Sequence, residues 1–115
     1  MGTFGKDIRA LKASSEYSVL LSSGSRFICP LFVALFIKVQ DSNSSFGVIA
    51  SKKVGGAVSR NRCKRVLRVC AKRVLAQLSS SFSVVFISRK ALSASKPGSI
   101  LRFEAELISN LAALS

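Results

Sequence analysis

The feature that most constrains the fold of this chain is a stretch of 22 residues, 57–78, whose apolar side chains recur at helical spacing. At about 100° per residue these side chains fall into one stripe along a helix. A stripe of this kind must be buried against other elements, so the pattern predicts a long, core-packed helix from about Ala57 to Leu78. The stripe consists of Cys63, Val66, Leu67, Cys70, Val74 and Leu78.

The opposite side of this predicted helix is strongly basic. It carries Asn61, Lys64, Arg65, Arg68 and Lys72, and no glutamate lies four residues away from any of these cations to pair with it. Neighbouring like charges on a helix repel one another. The pattern therefore predicts that an anion outside the helix offsets this repulsion.

The positive charge of the whole chain is concentrated in one segment. The 115 residues include 18 Lys+Arg and 5 Asp+Glu, which gives a net charge of +13. No acid lies in residues 42–103, and 13 of the cations do, so the other five cations balance the five acids. A field of one sign favours a polyanionic partner, nucleic acid first and an anionic membrane surface second. A surface charged only for solubility normally mixes both signs.

Composition excludes several classes of protein site. The chain has no His, which rules out a His-dependent triad, an imidazole general base and a His metal site. Its carboxylates are not spaced as an acid/base pair, so we expect no catalytic residue and no tightly bound metal. The odd cysteine count, without a CxxC pair, suits a reducing cytoplasm and predicts unpaired thiols at Cys29, Cys63 and Cys70. Cys63 and Cys70 lie seven residues apart on the apolar stripe, so we expect both to be small core residues. The longest apolar run, residues 27–37, is shorter than the roughly 20 residues that a membrane helix needs.

The remaining patterns predict a single domain over residues 1–115, with residues 1–10 as a flexible arm. We expect a helix at 15–23, one strand or two segments over 27–39, and a strand at 46–51. The long helix follows, then a strand at 82–87 and a helix at 99–113. This α-β-β-α-β-α order predicts an α+β fold, an α-β sandwich in which helices pack against a small mixed sheet.

The segment 51–68, SKKVGGAVSRNRCKRVLR, combines several phosphate-binding features. It places two lysines at a strand end, then a glycine turn, then a helix that starts with Arg60, Asn61 and Arg62. The N–H groups of a helix N-terminus favour phosphate, and arginine makes two-point contacts with phosphate that lysine cannot make. The GxxxxGK[ST] spacing of a nucleotide-binding phosphate loop is absent.

This segment closely resembles the signature of the bacterial ribonuclease P protein family, in which a Ser-Lys-Lys strand end precedes Gly-x-Ala-Val and an Arg-Asn-Arg helix. The similarity extends more weakly over the whole chain, through Tyr17 in the first helix and Ile87 to Lys90 in the last strand. The matching residues are Ser51, Lys52, Lys53, Gly55, Ala57, Val58, Arg60, Asn61, Arg62, Lys64, Arg65 and Arg68.

The resemblance implies a protein subunit of a ribonucleoprotein endonuclease that removes the 5′ leader from precursor tRNA in the cytoplasm. It implies that catalysis and the Mg²⁺ ions belong to the RNA subunit, with one protein bound to each catalytic RNA and no activity of the protein alone. It also implies a left-handed crossover between the strands that flank the long helix, against the usual right-handed rule.

The resemblance also assigns binding residues. It places Tyr17, Lys53 and Asn61 at a cleft for the single-stranded leader, with Tyr17 as a stacking platform for a base. Leu21 and Leu35 stand where the family often has cleft aromatics, so we expect base stacking to shift onto Phe32. The residues implied to bind RNA are Lys52, Lys53, Arg60, Asn61, Arg62, Lys64, Arg65 and Arg68.

Three other functions remain open from the residues alone. A ribosomal or other structural RNA-binding protein would carry a similar basic helix. A membrane-surface protein would use the same charge, although the apolar stripe lacks Trp and Phe and is needed for the core. A nuclease that acts without RNA would need a protein active site, which the sequence does not indicate.

Overall fold

A five-stranded mixed sheet forms the centre of the fold in the computed structural model, which describes residues 8–11, 14–40 and 43–114. The strand order is β1-β4-β5-β3-β2. Strands β1, β4 and β5 run parallel, whereas β3 pairs antiparallel with both β5 and β2. The strands are β1 Ile8–Ala10, β2 Ser25–Ile28, β3 Phe32–Val39, β4 Ser44–Ile49 and β5 Ser81–Ser88.

The described residues also form four helices and one 3-10 turn. They are α1 Ser14–Ser23, the 3-10 turn Lys52–Val54, α2 Ala57–Ala76, α3 Lys90–Ser93 and α4 Ile100–Ala112. Of these, α3 and α4 follow the last strand. The predicted α+β class is confirmed, and the three longer helices lie within two residues of their predicted bounds. In the described part of the chain, no helix has the length and apolarity that crossing a bilayer requires.

The N-terminal prediction was wrong in part. Residues 8–10 belong to the sheet rather than to an arm, because Ile8, Arg9 and Ala10 pair in parallel with Ser44, Ser45 and Phe46. The rest of the predicted arm lies outside the described residues. The predicted strand region at 27–39 consists of two strands joined through Pro30, where the chain turns back on itself.

One face of the sheet is covered by α2 and α4 and holds the larger core. Side chains alternate between faces along a strand, so Phe32, Ala34 and Phe36 all point to this side. The apolar stripe of α2 packs on them, with Leu67 and Val74 fully buried. The predicted stripe is therefore the element that ties the long helix to the sheet.

The other face carries α1 and a smaller cluster. Leu20 of α1 is buried together with Leu11 and Val85, and Ile37 and Ile49 pack around them. The crossover from β4 through α2 to β5 joins two neighbouring parallel strands. Its left-handedness stays a prediction from the family resemblance.

The three cysteines are unpaired, and Cys63 and Cys70 are buried, as predicted; Cys29 is buried as well. Burial raises the pKa of the Cys29 and Cys70 thiols, and the neighbouring Glu104 carboxylate raises that of Cys70 further. A thiol whose pKa is raised stays protonated at neutral pH and is a poor nucleophile. These two cysteines are thus small core residues in this fold.

An ion pair between the exposed Arg73 and a buried carboxylate joins α2 to α4. Glu104, only 4% exposed, accepts a hydrogen bond from Nε of Arg73 at 2.9 Å and a second from its Nη2. The bond to Glu104 raises the pKa of Arg73. Glu106, two residues further along α4, is exposed and lies 3.9 Å from Arg102. Two glutamates of one helix therefore occupy very different environments.

We expect Glu104→Gln to lower the free energy of unfolding by about 1–3 kcal/mol, because it breaks a two-point contact to a buried carboxylate. Glu106→Gln is the matched control, since it removes the same charge from the same helix, and it should change stability by no more than about 0.5 kcal/mol. Urea unfolding followed by circular dichroism measures both. Equal losses for the two variants would show that net charge, and not the Arg73–Glu104 pair, sets the effect.

Candidate nucleic-acid interface

The turn between β4 and α2 is built by a serine and two glycines. Ser51 Oγ accepts a hydrogen bond from the backbone N–H of Lys53 at 3.3 Å, which closes the 3-10 turn. Gly55 has a φ of +146°, a conformation that favours glycine. Gly56 precedes α2 in an extended conformation, and no side chain caps the helix. The first turn of α2 therefore presents backbone N–H groups without a side-chain acceptor.

The predicted RNA-binding residues lie in two adjacent elements. Lys52 and Lys53 are exposed in the 3-10 turn, and the other six lie in the N-terminal twelve residues of α2. Several of these side chains make no hydrogen bond or ion pair with any residue that the structure describes. They are Lys52, Lys53, Asn61, Lys64, Arg65 and Arg68.

Two arginines of the motif differ from the others. Arg62 donates from Nη1 to the carbonyl of Ser93 at 2.8 Å and from Nη2 to that of Ser95 at 3.3 Å, which ties α2 to the end of α3. Arg60 is half-buried, and its Nε is buried without a hydrogen-bond partner among the described residues. Arg62 therefore has a structural contact in addition to its predicted role.

The positive charge of α2 is almost uncompensated. The acids nearest in sequence that the structure describes are Glu104 and Glu106 of α4, and Glu104 is occupied by Arg73. Neither carboxylate contacts Lys64, Arg65 or Arg68. The outer side of α2 is thus a surface that an extended anion can bind through several separate contacts.

Tyr17 lies on the opposite face of the sheet. This half-buried residue of α1 packs so closely on Gly47 in β4 that a Cβ atom at position 47 would come within 2.6 Å of two of its ring carbons. A cavity of about 390 Å³ is lined by Arg9, Ala10, Glu16 and Ser45, of which Glu16 is the chain neighbour of Tyr17. The strand under Tyr17 ends just before the turn that carries Lys53, so β4 connects the two regions.

The prediction that Phe32 takes part in base stacking is wrong. Phe32 is fully buried on the α2 side of the sheet, with its ring centroid 5.3 Å from that of Phe86 and 6.0 Å from that of Phe27. Strand alternation directs it away from the face that carries Tyr17. Phe32 is a core residue and has no surface on which a base can stack.

The two leucines at the expected aromatic positions are not equivalent. Leu21 of α1 is about half exposed, whereas Leu35 of β3 is buried. By alternation Leu35 shares the α1 face with Ile37. Among the described residues, Tyr17 is therefore the aromatic side chain of this face, and no second one replaces the missing rings.

The described residues do not form a metal site. No group of three or more Asp, Glu, Cys or His side chains converges anywhere in the described ranges. Their donor set does not fit a protein-held Mg²⁺, which prefers oxygen ligands and carboxylates.

Several features of the site were missed by sequence reasoning. The Arg73–Glu104 pair joins residues 31 positions apart, and no local pattern marks such a contact. The contact of Arg62 with the carbonyls of Ser93 and Ser95 is equally distant. Gly47 did carry a signal, because a glycine inside a strand often marks a close approach of another group.

Comparisons with known proteins agree with this geometry. A family model described as ribonuclease P matches residues 6–111 of the chain. The chain is 39% identical over 84 residues to the ribonuclease P protein component of Dehalococcoides mccartyi, covering 73% of the chain and 68% of that relative. It is 35% identical over 97 residues to that of Mycolicibacterium gilvum, covering 82% of the chain and 76% of the relative.

The fold is also similar to solved structures. The RNase P protein from Thermotoga maritima superimposes with a TM-score of 0.72 and 25% identity, over 92% of this chain and 97% of that one. The RNase P protein of Staphylococcus aureus superimposes with a TM-score of 0.70 and 21% identity, over 90% and 94% of the two chains, and shows the shared fold.

We expect Gly47→Ala to destabilise the fold by about 1–3 kcal/mol, because the added methyl group forces Tyr17 and α1 to move. Gly56→Ala is the control, since a Cβ there meets nothing within 4 Å, and it should change stability by about 0.5 kcal/mol at most. In a Tyr17→Ala background the cost of Gly47→Ala should fall by at least about 0.5 kcal/mol. Additive costs in this double-mutant cycle, measured by urea unfolding, would contradict the Tyr17–Gly47 contact.

Proposed function

The chain belongs to the ribonuclease P protein family, and on this premise we propose that it is the RNA-binding subunit of the ribonucleoprotein endonuclease that removes the 5′ leader from precursor tRNA. The observation that carries the proposal is the outer side of α2. Among the described residues, no carboxylate pairs with Lys64, Arg65 or Arg68 on this side. The exposed lysines of the 3-10 turn add positive charge just before the helix begins. An RNA backbone supplies the spaced negative charges that such a surface lacks.

We assign the two faces of the fold to two RNA molecules. The α2 face binds the catalytic RNA through Arg60, Arg62, Lys64, Arg65 and Arg68, together with Lys52. The α1 face receives the single-stranded leader of the precursor tRNA, with Tyr17 as the stacking residue. Lys53 lies in the turn that follows β4, and Asn61 lies in the N-terminal part of α2; we propose that these two residues border the leader cleft as well.

The role of the protein is binding and positioning. Phosphodiester hydrolysis is assigned to the RNA subunit, whose Mg²⁺ ions activate water and stabilise the charge of the transition state. The described residues lack a matching donor cluster. The protein instead neutralises phosphates of two RNA molecules, which lowers the repulsion between them and orients the leader. We further propose one protein per catalytic RNA and a cytoplasmic location.

A ribosomal or other structural RNA-binding protein is the second candidate, because it would carry the same basic helix. The family membership does not favour it. RNA capture separates the two: the ribosomal alternative predicts ribosomal RNA, whereas our proposal predicts one catalytic RNA together with precursor tRNA.

The basic face of α2 is tested by the salt dependence of RNA binding. Arg68→Ala should weaken binding to a bacterial ribonuclease P RNA about fivefold near physiological salt and reduce the slope of log K against log salt by about 0.9, the share of one phosphate. Arg26→Ala removes the same charge from β2, outside the basic segment, and should change neither quantity appreciably. An unchanged slope for Arg68→Ala would show that Arg68 does not contact phosphate.

The leader cleft is tested by comparing precursor tRNA with mature tRNA. In the complex with the catalytic RNA, Tyr17→Ala should lower the affinity for precursor tRNA about tenfold through loss of base stacking, and leave the affinity for mature tRNA unchanged. Tyr17→Phe keeps the ring and should bind as the unaltered protein does. Equal effects of Tyr17→Ala on both tRNAs, or none on either, would remove Tyr17 from the leader site.

A further inference from the structure

A groove of about 360 Å³ lies between α2 and the N-terminal end of α4. Its volume is in the range of ligand pockets, about 300–1,000 Å³. The groove is on the α2 side of the sheet, next to the RNA-binding residues but outside the leader cleft. Two of its lining residues, Arg62 and Arg65, belong to the proposed RNA-binding set. It is thus continuous with the proposed RNA surface.

The floor of the groove is apolar and partly open to solvent. Val66 and Val69 of α2 face Ile100 and Leu101 of α4 across it. Val69 is 47% exposed and Leu101 is 52% exposed, and both are large apolar residues that the core does not use. Exposed apolar residues that meet at a concave surface indicate contact with a flat or apolar group.

The rim of the groove is basic, and two of its cations are uncommitted. Arg62 is bound to the carbonyls of Ser93 and Ser95, and Arg73 is bound to Glu104. Arg65 and Lys96 make no hydrogen bond or ion pair with any described residue. The described residues that line the groove include no acid. Two available cations on opposite sides of an apolar floor match a ligand with an apolar plane and negative charge on its edges.

We propose that this groove holds an unpaired nucleotide of the catalytic RNA, with the base on the apolar floor and the flanking phosphates on Arg65 and Lys96. The inference rests on the proposed function and adds a subsite to it. The catalytic RNA is the source of the nucleotide because the groove and the α2 cations lie on one side of the sheet, whereas Tyr17 and the leader cleft lie on the other. Unpaired nucleotides are the elements of RNA whose bases side chains can reach.

Two substitutions distinguish the contribution of charge to RNA binding from the contribution of apolar contact. Lys96→Ala should weaken binding to the catalytic RNA about fivefold and reduce the salt slope by about 0.9. Val69→Ser should weaken binding about fivefold with the salt slope unchanged, because it removes apolar contact and no charge. Val19→Ser is the control: Val19 is also a helical valine, 54% exposed, but it lies on α1, and this change should leave binding to the catalytic RNA unaltered.

Cross-linking identifies the occupant directly. The native cysteines are buried, so Leu101→Cys introduces the one accessible thiol of the described residues for a photoreactive label. Irradiation of the assembled complex should join it to an unpaired nucleotide of the catalytic RNA. Val19→Cys, labelled in the same way, should not cross-link to that nucleotide.

Each other outcome has a distinct meaning. Cross-links from position 101 to precursor tRNA alone would overturn the choice of RNA. Concentration-dependent dimerisation of the protein that Val69→Ser abolishes would make the groove a contact between two copies. Normal RNA binding by both Val69→Ser and Lys96→Ala would remove the subsite and leave the proposed function intact. Failure of the unaltered protein to bind the catalytic RNA would instead remove the proposed function itself.

Discussion

The structure depends on the burial of one side of α2. Cys63, Leu67, Cys70 and Val74 fill the space above the sheet, and α2 contacts β4, β5, α3 and α4 through this side and its flanks. Once the stripe is buried, the position of every other α2 side chain is determined. Lys64, Arg65 and Arg68 must point away from the core, and no carboxylate in the described part of the chain forms an ion pair with them. The same packing that stabilises the domain therefore holds an array of cations at fixed spacing, without loops that would have to be ordered on binding.

The sheet separates two surfaces with different properties. The α2 side presents charge and the groove beside α4, whereas the α1 side presents Tyr17, held against Gly47, and a neighbouring cavity. β4 belongs to both, because it lies under Tyr17 and leads into the turn that carries Lys52 and Lys53. In the function that we propose, the sheet separates the two RNA-binding surfaces and fixes the distance between their ligands. One small protein would in this way position a substrate relative to a catalyst that the protein does not itself contain.

The elements with strong periodicity were predictable from the sequence. The apolar stripe predicts both the position of α2 and the side of α2 that is buried. The order of the predicted elements indicates the α+β class. Short or non-local features were not predictable. β1 has only three residues and is stabilised by pairing with β4, which lies more than thirty positions away. The prediction for Phe32 failed because the residue type alone does not tell which face of the sheet a side chain occupies. The alternation of side chains along β3 places Phe32 in the core on the α2 side. The pairing of Arg73 with Glu104 and the groove next to it arise only when α2 and α4 pack together.

The most direct test of the central claim is cleavage by the reconstituted complex. A bacterial ribonuclease P RNA and a precursor tRNA are incubated at low Mg²⁺ with and without the protein, and the released leader is measured. We predict that the protein alone cleaves nothing. Adding the protein to the RNA should strongly increase correct removal of the 5′ leader. This increase should disappear at high Mg²⁺, because the added cations replace the positive charges of the protein. Cleavage by the protein without RNA, or no effect of the protein on the RNA at low Mg²⁺, would contradict it.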